Sequence, residues 1–429
     1  MKTEKFAGMR PFVALLLTQS LSALGSSMTA FALIVWSYSQ RGSALDSALL
    51  SVCSYAPYVM MSILAGALSD RWDKKRTLLV CDALAACTTV MTLILFETGK
   101  LEIWHLYVLN ALNGLMNSVQ RPASDVAVSL LVPRENDQQA SALRSTANSM
   151  VNIITPTFAA ALMAFSGLRA VIVFDLATFA CAFLSLLLLI RIPAIERTAQ
   201  EKEGLLDAAK QGLAYLRRHP GVFHIMLFLA AINLTASMFE AALPALVLSK
   251  TDETALGLIK STTGVTLLAG SLTAAMLRRP KSRVRVICNT LLLSMSTENF
   301  LLGLGGSNVL VWCLGAVLGW IAIPLMNANL DALLRGYIPI GMQGRVFSVR
   351  NSFQFFTIPI GYLLGGVLVD SVFEPMMAAQ AADSLLVCVF GAGKGAGAAV
   401  LFFLLGILGV VTCLVFRRDK AIWALEQDA

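Results

Sequence analysis

Twelve apolar stretches, each about as long as the ~17–25 residues a helix needs to cross a bilayer, limit what this chain can fold into. They fall near 11–38, 46–69, 77–97, 103–127, 142–165, 169–190, 222–247, 255–277, 284–304, 308–332, 346–370 and 396–416. A soluble core cannot hide that many long apolar segments, whereas hydrocarbon accepts them provided every backbone group is bonded within its own helix. Composition agrees: 57% of the 429 residues are hydrophobic and only 14% charged, against roughly 25% charged in a soluble domain. The mean hydropathy is +0.73. The expected fold class is an all-α membrane protein with 12 transmembrane helices.

The distribution of basic residues sets the expected topology. With the N-terminus inside, 27 of the 33 lysines and arginines fall on one face, including the run Arg71, Lys74, Lys75 and Arg76. Arg41, Lys100, Arg169, Lys250 and Lys394 fall on the other, and Lys260 lies near the start of a span. This is the positive-inside bias, and it places both termini in the cytoplasm. The net charge of +7 therefore reads as topogenic, and no nucleic-acid partner is expected.

The first apolar run is too long for a signal-peptide core and is expected to remain in the protein. Eight cysteines are scattered singly through apolar stretches without metal-ligand spacing, so neither a disulfide framework nor a metal site is expected. Three histidines form no hydrolase-like constellation, and no enzyme is expected.

A polar connection from Ile192 to Gly221 divides the stretches six and six, giving bundles over 1–191 and 222–429 with a cytoplasmic linker over 192–221. Within it, Leu205, Leu206, Ala209, Leu213 and Leu216 predict an amphipathic helix. The segments after the fourth and tenth stretches both open on Leu-Met-Asn, reach a proline (Pro133, Pro339) and place an arginine eleven residues later (Arg144, Arg350). The distances from Leu-Met-Asn to the proline differ by four residues, about one helical turn. A duplicated, pseudo-symmetric six-helix unit is the expectation.

Polar residues at membrane depth are the candidates for a substrate cavity. Asn110, Asn113, Asn117, Arg121 and Asp125 share one face of the fourth stretch. Gln19, Ser22, Ser26 and Thr29 do so on the first, and Arg144, Asn148 and Asn152 on the fifth, ahead of a kink expected at Pro156. Asn233, Asn327 and Gln354 extend the set into the second half, with Tyr55, Tyr58, Met238, Phe239, Phe355 and Phe356 as soft apolar lining. Taken singly, asparagine and serine serve equally well as interhelical glue.

A carboxyl withdrawn from water holds its proton more tightly, so membrane-depth acids are candidates for proton coupling. Glu240, on the face of Asn233 and Ser237 with no basic residue in its own helix, ranks first and Asp331 second, although Arg335 one turn on is the expected ion-pair partner of Asp331. Asp175 and Glu298 are expected to partner neighbouring helices, and Asp82 a basic residue of a loop. The stretch GAGKGAG (391–397) lacks the spacing of a phosphate-binding loop, because Cys388 and Gly395 stand at its required Gly and Ser/Thr positions. With no nucleotide site and no cofactor expected, energy would come from an ion gradient.

The segment GALSDRWDKKR (66–76) resembles the loop signature of the major facilitator superfamily through Gly66, Leu68, Asp70, Arg71, Lys74 and Lys75, departing where Asp73 replaces the usual second glycine. LVPREN, GRVFSVRN, RIP and GAGKGAG are similar to the macrolide-efflux and enterobactin-exporter branch of drug:proton antiporters. The resemblance implies two bundles alternating about a midplane site. It implies a latch in which Asp70 caps the N-terminus of the eleventh helix and Lys74 pairs with Asp125, beside Arg121. It also implies a monomeric bacterial inner-membrane protein in the lipid bilayer, exporting bulky amphipathic small molecules against a proton gradient. The alternatives of that reading are a siderophore or metabolite exporter and, from another class, a non-transporting sensor.

Overall fold

The computed structural model describes residues 9–133, 136–193, 205–277 and 280–427, with the backbone alone for 62–71, 137–138, 205–210, 212, 340–341, 344, 348 and 351–353. All regular structure among the described residues is helical. In order the first helices are α1 (Arg10–Arg41), α2 (Ala44–Arg71), α3 (Lys74–Glu97), α4 (Ile103–Leu131) and α5 (Asp137–Leu188). Then follow α6 (Leu205–Arg218), α7 (Pro220–Lys250), α8 (Glu253–Met276), α9 (Arg283–Leu304), α10 (Val309–Trp320) and α11 (Ile323–Tyr337). The chain ends with α12 (Ile340–Val367), a π-helical segment (Leu368–Phe373), α13 (Glu374–Ala378), α14 (Leu385–Phe390), α15 (Ala396–Arg417) and α16 (Lys420–Gln427). Each of the twelve apolar stretches lies largely within helix, and eight helices are long and apolar enough to cross a membrane by length and composition.

The helices form two compact units. The first contains α1, α2 from Leu49, α3 to α5 and Leu256–Ser261; the second contains Gly42–Ala48, α6 and α7, the start of α8, and everything from Thr262.

In the first unit α1 lies along α5, and Gly25 permits the approach: a Cβ there would meet Asp175 Cα at 2.9 Å. The helix α5 breaks at Gly167, whose φ of 73° and ψ of −179° leave helical space, a conformation glycine adopts without penalty. The break falls between the expected fifth and sixth stretches (142–165 and 169–190), and Pro156 lies inside the helix before it. Around that proline the helix is bridged from outside: the Ser261 hydroxyl accepts from the Thr157 amide (3.2 Å) and donates to the Ile153 carbonyl (2.8 Å). One turn earlier in the same Leu256–Ser261 segment of the first unit, Gly257 leaves no room for a side chain, since a Cβ would sit 2.8 Å from the Pro156 carbonyl oxygen and 2.7 Å from Ala160 Cβ.

Asp73, the residue that departs from the family signature, caps α3: its backbone is extended and its carboxylate accepts from the Arg76 amide at 2.8 Å. An N-cap aspartate satisfies an amide that lacks an intrahelical partner and suits the positive end of the helix dipole. Next to it, Lys75 Nζ donates to the carbonyls of Leu187 (3.0 Å) and Ile190 (2.8 Å) at the end of α5.

The second unit packs around α7, most of whose residues are buried, with a core of Phe228, Leu229, Ile287, Leu291, Leu334 and Cys413. The predicted linker helix is present as α6 and contributes Leu216 to that core. Glu426 of α16 accepts from Ser282 Oγ and the Val284 amide at 2.8 Å each, tying α16 to the start of α9. The glycine-rich stretch follows the same logic. Gly391, Gly393 and Gly395 all have positive φ (86°, 81° and 87°), and the amides of Gly395 and Ala398 point at Glu374 Oε1 (2.9 and 3.4 Å). Its anion-binding backbone is already filled by the protein's own carboxylate, at the N-terminus of α15.

Substituting Gly257→Val should crowd the Pro156 carbonyl within the first unit and lower stability by about 1–3 kcal/mol, the usual effect of overpacking. A thermal-unfolding midpoint in detergent unchanged from wild type would show that the approach at Pro156 is looser than these distances.

Candidate functional site

The polar faces foreseen on α1, α4 and α5 meet in the first unit, where they line a cavity of about 400 Å3, within the ~300–1,000 Å3 typical of small-molecule sites. Gln19 and Ser26 come from α1, Asn110, Asn113, Asn117 and Arg121 from α4, and Arg144 and Asn148 from α5. A second cavity of about 240 Å3 shares Asn110, Asn117, Arg121 and Ser54 with the first and is lined by Tyr55 and Tyr58 of α2. The Arg121 guanidinium lies 5.2 Å from the centre of the Tyr58 ring, so the cation rests on an aromatic face. Asn113 Oδ1 accepts from Thr88 Oγ1 at 3.1 Å. Asn152, placed in this set from its spacing, is exposed and does not line either cavity.

Two carboxylates outside the expected lining also line the larger cavity, and one of them, Asp175, partners a neighbouring helix as expected. Asp82 was expected to pair with a loop base; it is instead 6% exposed and held by two amides, Gln120 Nε2 at 2.6 Å and Gln19 Nε2 at 3.3 Å. Asp175, 3% exposed, accepts from Ser26 Oγ at 3.0 Å, across the α1–α5 contact that Gly25 permits. Among the described residues the ion pairs include neither. The signal for Asp82 was present in α3: Ala85, Ala86 and Thr89 follow it at helical spacing and line the same cavity, a small-residue stripe that sequence reading passed over. Gln120, one residue from the predicted α4 face, was missed because the stripe was drawn through Asn117 and Arg121.

The basic and acidic ends of α4 and α5 meet as an ion pair, Asp125 with Arg144. In the second unit Asp331 pairs with Arg350 Nη1 at 3.2 Å. That corrects the expected Asp331–Arg335 pair: Arg350 reaches across from α12, and its ring neighbour is Phe347 at 5.1 Å. The two pairs have identical spacing, eight residues from aspartate to proline and nineteen from aspartate to arginine.

The other second-unit candidates line neither of these two cavities. Glu240 is half-buried on α7. Met238 and Phe239 are packed rather than cavity-lining: Gly361 and Gly365 bring α12 against Met238, and Phe239 meets Phe402 edge-on at 5.1 Å. Asn233 is half-buried, with its carbonyl bonded by Ser237 Oγ, and Gln354 is half-buried on α12. Asn327, Phe355 and Phe356 are exposed. Of the expected latch, the side chains of Gly66, Asp70 and Arg71 lie outside those described, and Lys74 is buried at the start of α3.

Residues 15–297 match the sequence profile of the Major Facilitator Superfamily. The chain is 24% identical over 362 residues to macrolide efflux protein A of Streptococcus pyogenes, covering 82% of this chain and 88% of that protein. It is 26% identical over 337 residues to enterobactin exporter EntS of Citrobacter koseri, covering 76% of this chain and 77% of that one. Its fold is similar to that of the nucleoside transporter NupG, with a TM-score of 0.68 at 14% identity over 95% of this chain and 98% of that one.

A double-mutant cycle between Asp331 and Arg350 should give a coupling energy of about 0.2–1 kcal/mol, the range for partly exposed pairs. The cycle between Asp331 and Arg335 should give none; a larger value for Arg335 in thermal unfolding would restore the i, i+4 pair.

Proposed function

We propose that this chain, which belongs to the Major Facilitator Superfamily, exports bulky amphipathic small molecules by alternating access and couples their export to proton entry. It is a multi-pass transporter of the bacterial inner membrane, not an enzyme. The proposal adds twelve crossings in two six-helix bundles over 1–191 and 222–429 joined by the linker, both termini cytoplasmic, a monomeric state without nucleic-acid partners, and no cofactor beyond the gradient.

The observation that carries the coupling is the company Asp82 and Asp175 keep. Asp331 is engaged in an ion pair with Arg350. Asp82 faces two side-chain amides and Asp175 a hydroxyl, groups that can either donate or accept. Such surroundings serve the charged form as acceptor and the protonated form as donor, so a proton can come and go without leaving an orphaned group. We therefore place the first-unit proton sites on Asp82 and Asp175 and keep Glu240 as the second-unit candidate. Asp331 passes from proton carrier to ion-pair partner.

The substrate would lie on the polar faces of Gln19, Ser26, Asn113, Asn117 and Asn148, with Tyr55 and Tyr58 offering aromatic surface. Macrolide efflux protein A favours a macrolide-like substrate; the relationship to enterobactin exporter EntS favours the alternative, an exported metabolite of the enterobactin kind.

In liposomes with an imposed pH gradient, the wild type should accumulate at least one macrolide or amphipathic dye, and a protonophore should abolish this. Asp82→Asn should reduce gradient-driven accumulation roughly tenfold or more while downhill movement continues, as should Asp175→Asn; Glu240→Gln tests the third site. Full accumulation in all three variants would remove the proton assignment, and transport of enterobactin alone would select the alternative.

A further inference from the structure

Two short helices of the second unit, α6 and α16, close on the start of α7. Gly221 allows the approach: a Cβ there would strike the Ala421 carbonyl oxygen and sit 3.0 Å from Leu425 Cδ2. Leu216 of α6 and Ile422 and Leu425 of α16 are buried in the same core. Trp423 Nε1 donates to the Arg417 carbonyl at 2.7 Å, tying α16 to the end of α15. With 14 and 8 residues, neither helix is long enough to cross a bilayer.

Five exposed cations gather around this junction: Arg217 and Arg218 on α6, Arg417 and Arg418 at the end of α15, and Lys420 at the start of α16. They begin where an apolar surface stops. Phe223 and Leu227 on α7, and Val411, Leu414 and Val415 on α15, are exposed, on helices long and apolar enough to cross a membrane. The arginines follow directly, at the depth where hydrocarbon gives way to headgroups. Leu213, exposed one turn before Arg217, carries the same pairing of apolar and basic side chains onto α6.

The cations are also left without counter-charge. The described carboxylates of α16 and its cap are turned inward: Asp419 lies 2.6 Å from His224 Nδ1 and accepts from the Ala421 amide at 2.9 Å, while Glu426 holds the start of α9. Among the described residues the ion pairs include none of the five cations. Topology alone asks for basic residues on one side of the membrane. It does not ask that they surround two surface helices whose own acids are spent on internal bonds.

We propose that this end of the second unit is a docking surface for the headgroups of anionic phospholipids, with Arg217, Arg218, Arg417, Arg418 and Lys420 as the phosphate-binding groups. It rests on α7 and α15 crossing the bilayer, and not on what the protein exports. A guanidinium matches a phosphate through two parallel hydrogen bonds, and each cation close to an anionic membrane surface strengthens association about fivefold. Trp423 adds the amphipathic ring that suits the same depth.

Native mass spectrometry of the full-length protein from micelles with equal phosphatidylglycerol and phosphatidylcholine should show phosphatidylglycerol retained in excess. Arg417→Gln/Arg418→Gln/Lys420→Gln should lower that excess about fivefold or more. Arg10→Gln/Arg76→Gln/Arg191→Gln, which removes the same charge from exposed positions of the first unit, should leave it unchanged. Hydrogen exchange of residues 213–218 and 420–427 should be slower in phosphatidylglycerol nanodiscs than in phosphatidylcholine ones, and inorganic phosphate added to the latter should not reproduce the slowing. Undiminished retention by the first triple variant, or equal loss in both, would overturn the docking surface, as would protection by phosphate alone, which would leave a site for a free anion. Should the first triple variant not insert, Arg217→Gln/Arg218→Gln carries the same comparison. Neither measurement needs a substrate, so absence of transport by the wild type would sink the exporter reading without deciding this one.

Discussion

Every backbone donor and acceptor needs a partner, most of all in hydrocarbon, where no water can supply one, and the local devices of this structure answer that one constraint. Where Pro156 removes an amide from α5, the Ser261 hydroxyl bridges Thr157 and Ile153. Where α2, α9 and α15 begin, carboxylates from distant parts of the chain, Asp370, Glu426 and Glu374, supply acceptors for their first amides. A charged group is placed at a helix end because a helix end is where backbone donors have no partner of their own.

The same constraint makes the first-unit cavity informative. Side chains that can bond in either direction surround Asp82 and Asp175, while the arginines of that region are already engaged, Arg144 with Asp125 and Arg121 over Tyr58. A wall assembled this way offers donors and acceptors alike. The aspartate–arginine pairs lie instead where two successive helices of each half meet, and they are interchangeable between the halves: Asp125, Pro133 and Arg144 recur as Asp331, Pro339 and Arg350. Sequence comparison matched the prolines and arginines but not the aspartates. It was anchored on Leu-Met-Asn, which is offset by four residues in the second half, where the tenth stretch is divided into α10 and α11 and the polar face advances by a turn.

Much of the candidate site was legible because helical periodicity is local. Residues three and four apart share a face whatever lies opposite, so Asn113, Asn117 and Arg121, and Gln19 with Ser26, were readable as lining. Periodicity does not say which faces turn toward a cavity and which toward a neighbour. Met238 and Phe239 share the face of a promising glutamate and are nevertheless packed by Gly361, Gly365 and Phe402. Asn152 continues the α5 stripe but ends beyond the cavity.

The sequence by itself determined the helices and the family, because apolar length and short motifs are properties of neighbouring residues. Only the tertiary structure decided the partners of the charges. Asp82 meets two glutamines, Asp331 meets Arg350, Glu374 fills the glycine-rich turn and Asp370 caps α2, because each pairing joins residues of different helices that only packing brings within hydrogen-bond distance. Spacing along one chain carries no record of which helix will come that close.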